Sequence, residues 1–297
     1  MIINIGKKAD MALAQNSGRQ NNRGADILRR LLENKVAVVC FFIFLIICLA
    51  CILAPLLTPW KYSTIVVADR LQGSSLRHPL GTDNLGRDMF SRMLYGGRVT
   101  LRITLVSTAL AAVIGCAIGL TAGYFGGAAD GIISPVLDTL ASIPIILLAL
   151  IFEIAFGWGN GYFMYAMVIA AIPQFARLVR ASVMNIMGRE YIEAALALGV
   201  NHRNIVFRHV LHNIASPLLI RFAGGLAEAL LTCTVLGYLS VGIRPPTPEW
   251  GAIAYNAKAY IRTFPYMLAI PCSFIAVCVI SINIFSDGLR DAFDPKG

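Results

Sequence analysis

The sequence predicts an all-α polytopic membrane protein that crosses the bilayer about six times and carries a helical hairpin on its cytoplasmic side. Three observations carry this expectation. Of 297 residues, 57% are hydrophobic and 14% are charged, against about 25% charged in soluble domains. Six apolar stretches approach or exceed the roughly 20 residues that a spanning helix needs. Between two of them lies a polar insert, Glu193-Ala194-Ala195 followed by Gly199, Arg203, Ile205 and His209. Flanked by apolar spans, it belongs at a membrane surface.

The elements follow in order. Residues 1–35 read as a cytoplasmic tail, largely disordered, because residues 1–26 are rich in Asn, Gln and Gly and poor in apolar side chains. The run 36–57 has no charge and is longer than the 7–15 residues of a signal-peptide core. It reads as a retained first transmembrane helix. Residues 58–99 form an external loop. Near its end Leu85, Met89 and Met93 recur at helical spacing, with Arg87, Asp88, Ser91 and Arg92 turned away. This pattern, with Asp88 and Arg92 as an i,i+4 pair, predicts a helix lying on the membrane. A simple solvated loop is the alternative.

Residues 100–286 form the transmembrane core, with spans at 101–124, 134–156, 163–178, 215–239 and 263–286. Arg102 is placed to snorkel, and the fourth span has room to extend past Arg177. The second carries Gly115, Gly119 and Gly123 at every fourth position, a flat strip that lets another helix approach closely. That helix belongs to this chain or to a second subunit. In the loop 237–248, Pro245, Pro246 and Pro248 bar a regular helix. Trp250 suits a membrane interface. Residues 287–297 read as a cytoplasmic tail. All seven cysteines lie in apolar stretches and read as small buried hydrophobes.

Lys and Arg placement sets orientation. Lys7, Lys8, Arg19, Arg23, Arg29, Arg30 and Lys35 argue for a cytoplasmic N-terminus. Six crossings then return the C-terminus to the cytoplasm. The loop holding Arg177, Arg180, Arg189, Arg203 and Arg208 becomes cytoplasmic. The external loop fits less well, since it holds Lys61, Arg70, Arg77, Arg87, Arg92 and Arg98.

Several function classes drop out. The net charge of +9 flanks apolar spans, so it does not mark a nucleic-acid surface. A membrane hydrolase needs a nucleophile–base pair in the bilayer, yet His78, His202, His209 and His212 all lie outside the predicted spans. A stand-alone secondary transporter would show ion-coupling charges and an internal repeat. No repeat is evident, and only Glu153 and Glu228 are deep acidic candidates. Intramembrane ionisable groups are functional candidates by default. Glu228 could line a pathway and meet a cationic group such as a peptide amine, or hydrogen-bond a neighbouring helix. Glu153 sits toward the external end of its span, where a solvated position is equally consistent. The chain has no Gly-x4-Gly-Lys-Ser/Thr motif, so any ATP chemistry must come from a partner.

The polar insert has a definite local form. Residues 190–198 are strong helix formers, Gly199 stops the helix, and Asn201 can cap a second one. On that second helix Ile205, Val206 and His209 share a face. Small Ala194 and Ala195 would let the first helix enter a groove, and Glu193 could pair with an arginine there. A plain helical loop is the alternative.

This insert resembles the EAA loop of ABC importer permeases, the coupling helix that inserts into the ATPase subunit. Other stretches resemble one branch of that family. They are His78-Pro79-Leu80-Gly81-Thr82-Asp83-Asn84-Leu85-Gly86-Arg87-Asp88, Ala122-Gly123-Tyr124-Phe125-Gly126-Gly127, Pro245-Pro246-Thr247-Pro248-Glu249-Trp250-Gly251, and Asp287-Gly288-Leu289-Arg290-Asp291 with Asp294-Pro295. From residue 36 onward the chain resembles the C-type permease subunit of dipeptide, oligopeptide and nickel importers. The resemblance implies the type I ABC importer permease fold in a bacterial inner membrane. It implies a second homologous permease subunit, two ATP-binding subunits carrying ATP-Mg, and an external solute-binding protein. It implies no cofactor on this chain, and coupling through the loop 185–213, with Glu190, Glu193, Ala194, Ala195, Gly199, Arg203, Ile205 and His209 in contact. Peptides are the expected cargo, with nickel or a metal chelate as the alternative. One position departs: His212 stands where the family usually has proline. The second coupling helix is then expected to end a little later, at Asn213 or Pro217.

Overall fold

The computed structural model describes residues 26–157 and 161–293. The segment 1–25 and the Asp294-Pro295 pair lie outside the described residues. Within the described part of the N-terminal tail, residues 26–33 are helical, contrary to a disordered stretch reaching residue 35. Asn34 then caps α1, Lys35–Ile52, by accepting from the Ala37 N–H at 3.1 Å. One further turn, Ala54–Leu57, starts next to Pro55.

The second helix, α2, is Met89–Phe125, 37 residues without a break. At 1.5 Å per residue it is about 55 Å long, well beyond the roughly 30 Å hydrocarbon core. This replaces the predicted interfacial helix. The helical spacing of Met89 and Met93 belongs to the first turns of α2, and Leu85 precedes it. The polar residues do not turn away either, since Arg87, Asp88, Ser91 and Arg92 are all buried. Asp88 does not pair with Arg92. It caps α2 through the Ser91 N–H at 2.7 Å and holds His78 Nδ1 at 2.9 Å. Arg92 instead lies 3.4 Å from Asp83, which also takes Arg87 Nε at 2.6 Å. The segment before α2 is thus a folded cap, drawn together because each buried charge needs a partner.

The predicted straight third span is broken. It consists of α3, Gly127–Ser142, and α4, Ile145–Phe156, bent by 86°. Pro144 has no N–H to continue a helix and holds Ile143 extended, as prolines do to the preceding residue. The fourth span, α5, Phe163–Met187, does run past Arg177. Its cations are matched by α3: Arg180 forks onto Asp130, and Arg177 reaches Asp138 at 2.7 Å.

Next come α6, Glu190–Ala197, and α7, His202–Tyr238. The expected break at Asn213 or Pro217 is absent. The Asn213 side chain donates back to the His209 carbonyl at 2.6 Å, and Pro217 is accommodated inside α7. A wider π-type turn at Ile205–Val210 is the irregularity instead. Finally α8, Trp250–Ala257, and α9, Tyr266–Phe293, complete the chain. The last helix crosses the predicted boundary at residue 286. Gly288 lets it approach α1, since a Cβ there would lie 2.3 Å from Ala37 Cβ.

Five of these helices are long and apolar enough to cross a bilayer, or six if α3 and α4 form one broken span. The glycine strip faces this chain's own α5. Added Cβ atoms at Gly115, Gly119 and Gly123 would meet Phe175 Cβ at 2.6 Å, the Ala176 carbonyl oxygen at 2.3 Å and the Arg180 carbonyl oxygen at 2.8 Å. Around this pair α7 packs on α2 and α9, and α9 packs on α1. Trp250 is not an interfacial anchor. It is fully buried, with its indole N–H donating to the Met93 carbonyl at 2.8 Å.

Candidate functional site

The polar insert folds as a hairpin between α5 and α7. Gly199 takes φ +74°, the left-handed conformation that stops α6 without strain. Asn201 accepts from the Arg203 N–H at 3.1 Å and starts α7. Ile192 on α6 and Ile205 on α7 are both fully buried, against Val179, Val183 and Ile186 of α5 and Val210 and Ile214 of α7. Ile205, expected on a contact face, therefore points inward and anchors the hairpin. His209 is half-buried, its ring 6.3 Å from that of Tyr191. Tyr124, at the end of α2, is hydrogen-bonded to His202 Nδ1.

The other side is free. Glu190, Glu193, Ala194 and Arg203 are exposed, and so are Leu198 and Phe207. The side chain of Ala195 is outside the described residues. The two glutamates sit in the first turn of α6, where the helix dipole favours anions. The hairpin thus offers acidic and apolar groups outward while its inner face is fixed to α2 and α5. Sequence reasoning missed Ile192 and Tyr124 as its anchors. Both roles depend on contacts between separate helices, which no local spacing carries.

A second feature is a cavity of about 240 Å³ between α2, α5 and α7. Its polar lining includes Ser107, Thr108, Gln174, Arg221, Glu228 and Thr232. Arg221 and Glu228 are bound to each other through both nitrogens and both oxygens, at 3.1 and 2.9 Å. Glu228 is therefore neither free nor bonded to another helix; its partner lies seven residues away on the same one. Arg221 also stands over the Phe175 ring, 5.7 Å from its centroid. Glu153 does not join this site. It is fully buried on α4 and accepts from the Phe163 N–H at 3.3 Å, so a solvated position is ruled out. Satisfying the start of α5 is what it does there.

Beyond α7 lies a buried polar knot. Glu249 caps α8 by accepting from the Gly251 and Ala252 N–H groups at 2.9 and 2.8 Å, and from the Thr100 hydroxyl at 3.1 Å. Burial pushes its carboxyl up to about 7, against the opposing pull of these hydrogen bonds. Among the described residues no group of three His, Cys, Asp or Glu side chains could hold a metal ion.

Comparison with known proteins follows this geometry. Residues 115–296 match the family described as binding-protein-dependent transport system inner membrane component. Residues 22–74 match the N-terminal TM domain of oligopeptide transport permease C. The chain is 36% identical over 271 residues to the dipeptide transport system permease protein DppC of Alkalihalophilus pseudofirmus, covering 91% of this chain and 89% of that one. It is 38% identical over 270 residues to the glutathione transport system permease protein GsiD of Pectobacterium atrosepticum, covering 90% and 89%. The MetNI methionine ABC transporter in an inward-facing conformation shares the fold, with a TM-score of 0.51 and 23% identity over 66% of this chain and 94% of that one.

Proposed function

Because the chain belongs to the family of binding-protein-dependent transport system inner membrane components, we propose that it is the peptide-conducting permease subunit of an ABC importer. It works beside a second, similar permease chain, two ATP-binding subunits that carry ATP-Mg, and an external solute-binding protein. The chain itself binds no cofactor. Both termini face the cytoplasm of a bacterial inner membrane, so a C-terminal green fluorescent protein fusion should fluoresce; a dark fusion at normal expression would reverse the topology.

One observation supports the coupling role above the rest. The hairpin exposes Glu190, Glu193 and Ala194 while Ile192 and Ile205 lock it to α5. A push on its outer face is therefore delivered to the long helices. Closure of the ATPase subunits on ATP would move the hairpin, and α5 and α2 with it, shifting the population between inward-open and outward-open states. Dipeptide and glutathione permeases among the relatives favour a peptide cargo. Nothing in the described residues favours a nickel ion.

The test is to co-purify the tagged chain and reconstitute what comes with it. ATPase subunits should copurify, and proteoliposomes with the binding protein should take up a labelled dipeptide only when ATP is present. A chain that purifies alone and transports without ATP would refute the assignment.

A further inference from the structure

The cavity between α2, α5 and α7 holds an ion pair whose geometry suits one class of solute. Arg221 and Glu228 are seven residues apart on α7. That spacing puts them on one face, with Cα atoms about 10.5 Å apart along the axis. Their charged ends meet only because both side chains lean toward each other. Both groups line the cavity, and the Glu228 side chain is 58% exposed. Gly225, between them, has no side chain to fill the gap; the Phe175 ring and Thr108 form the floor beneath it.

We propose that the Arg221–Glu228 pair is a specificity element that opens for zwitterionic peptides, binding the cargo carboxylate at Arg221 and the cargo ammonium at Glu228. This rests on the importer reading above. The two side chains, once separated, present opposite charges at a spacing that a dipeptide's termini, at most about 7 Å apart, can bridge. The exchange conserves charge: one internal ion pair is replaced by two, both made to the cargo. No proton or covalent bond is transferred. A peptide blocked at one end offers a partner to only one of the two side chains. The other is then left unpaired, at the modest cost that a partly exposed ion pair carries. With no cargo, the pair closes on itself and leaves no bare charge in the cavity. Stacking on the Phe175 ring holds the guanidinium in place. The hydroxyls of Ser107 and Thr108 donate to the Thr104 carbonyl, so their lone pairs remain to accept from a peptide N–H.

The experiment uses proteoliposomes holding the complete importer with its binding protein. ATP-driven uptake is compared for alanyl-alanine, its N-acetyl derivative and its C-terminal amide. The binding protein is the same throughout, so its own selectivity cancels when variants are compared with wild type. In Glu228→Gln the preference for the free over the acetylated dipeptide should shrink roughly fivefold, the factor a partly exposed ion pair carries. In Arg221→Gln the preference over the amide should shrink likewise. The double variant R221Q/E228Q leaves no unpaired charge, so it assembles even if a single variant does not, and it should lose both preferences. Wild-type ratios in the double variant, with ATP hydrolysis intact, would overturn the proposal alone. Wild-type complex that imports none of the three with ATP would overturn the importer reading and the proposal together.

Discussion

A Cβ at Gly119 would stand 2.3 Å from the Ala176 carbonyl oxygen and 2.9 Å from Val179 Cβ. Backbone is in the way, so no side-chain rotation relieves the clash. Gly119→Leu should therefore force α2 off α5 and destabilise the protein by about 2 kcal/mol, typical of overpacking. Gly131 on α3 has nothing within 4 Å of an added Cβ. Gly131→Ala should leave the melting temperature of the purified protein unchanged or slightly raised, since alanine is the better helix former, while Gly119→Leu lowers it. Equal melting temperatures would show that the strip does not carry the contact. At Glu249 the relevant variable is pH. Its carboxyl titrates at 4.5 when solvated and about 7 when folded, so the folded state holds the extra proton. Its contribution is then fully present below about pH 4.5 and lost as pH rises through about 7. Thermal melts between pH 4.5 and 7.5 should show stability falling as pH rises, and Glu249→Gln should flatten that slope. An unchanged slope in the variant would place the titration elsewhere. The glycine strip was legible in the sequence because its period is local. Glu249 was not, because its burial depends on Gly237 and Thr100 meeting it from two distant segments.

The hairpin divides in the same way. Its stop at Gly199 and its cap at Asn201 could be read directly, since each follows from one residue and its own backbone. Which side faces inward could not. Ile205 and His209 share a face in a regular α-helix, but the wider turn at Ile205–Val210 rotates that register. Ile205 ends up fully buried beside Ile192. Ile205→Ala should then cost about 3 kcal/mol, in the range of large-to-small core changes. Hydrogen exchange should quicken over residues 190–204 before it does in α2 or α5. Unchanged exchange there would mean the anchor lies elsewhere. The same limit explains the other misreadings. Met89 and Met93 had the right period for a surface helix. Nothing local told that the helix would continue for 37 residues, or that the charges around it would close on His78 and Asp83. Reading 134–156 as one span passed over Pro144, where the helix breaks and α3 and α4 are bent by 86°.

At the scale of the molecule the hairpin and the cavity are linked by packed helices. The hairpin is tied to α5 by Ile192 and Ile205 and to α2 by Tyr124. Helices α2 and α5 are in turn zipped by the glycine strip, and together with α7 they wall the cavity that holds Arg221 and Glu228. On the proposed coupling role, a displacement at the hairpin would reach the cavity walls through these packed elements. The charge deficit and the six apolar stretches marked a polytopic membrane protein, and only the motif resemblance pointed to an importer permease. At that level Glu228 stood out as an acid that could line a pathway, but its pairing with Arg221 and the cavity around them emerged only in the fold. The most direct measurement of the coupling claim is the number of dipeptides imported per ATP hydrolysed, in proteoliposomes, for wild type and Glu193→Arg. Glu193 is exposed on the outer face of α6, so the substitution should leave the fold and the melting temperature intact. The expected result is continued ATP hydrolysis with import per ATP reduced about tenfold, the effect of losing roughly 1.4 kcal/mol of coupling. Import per ATP equal to wild type would contradict the assignment of this hairpin as the coupling element.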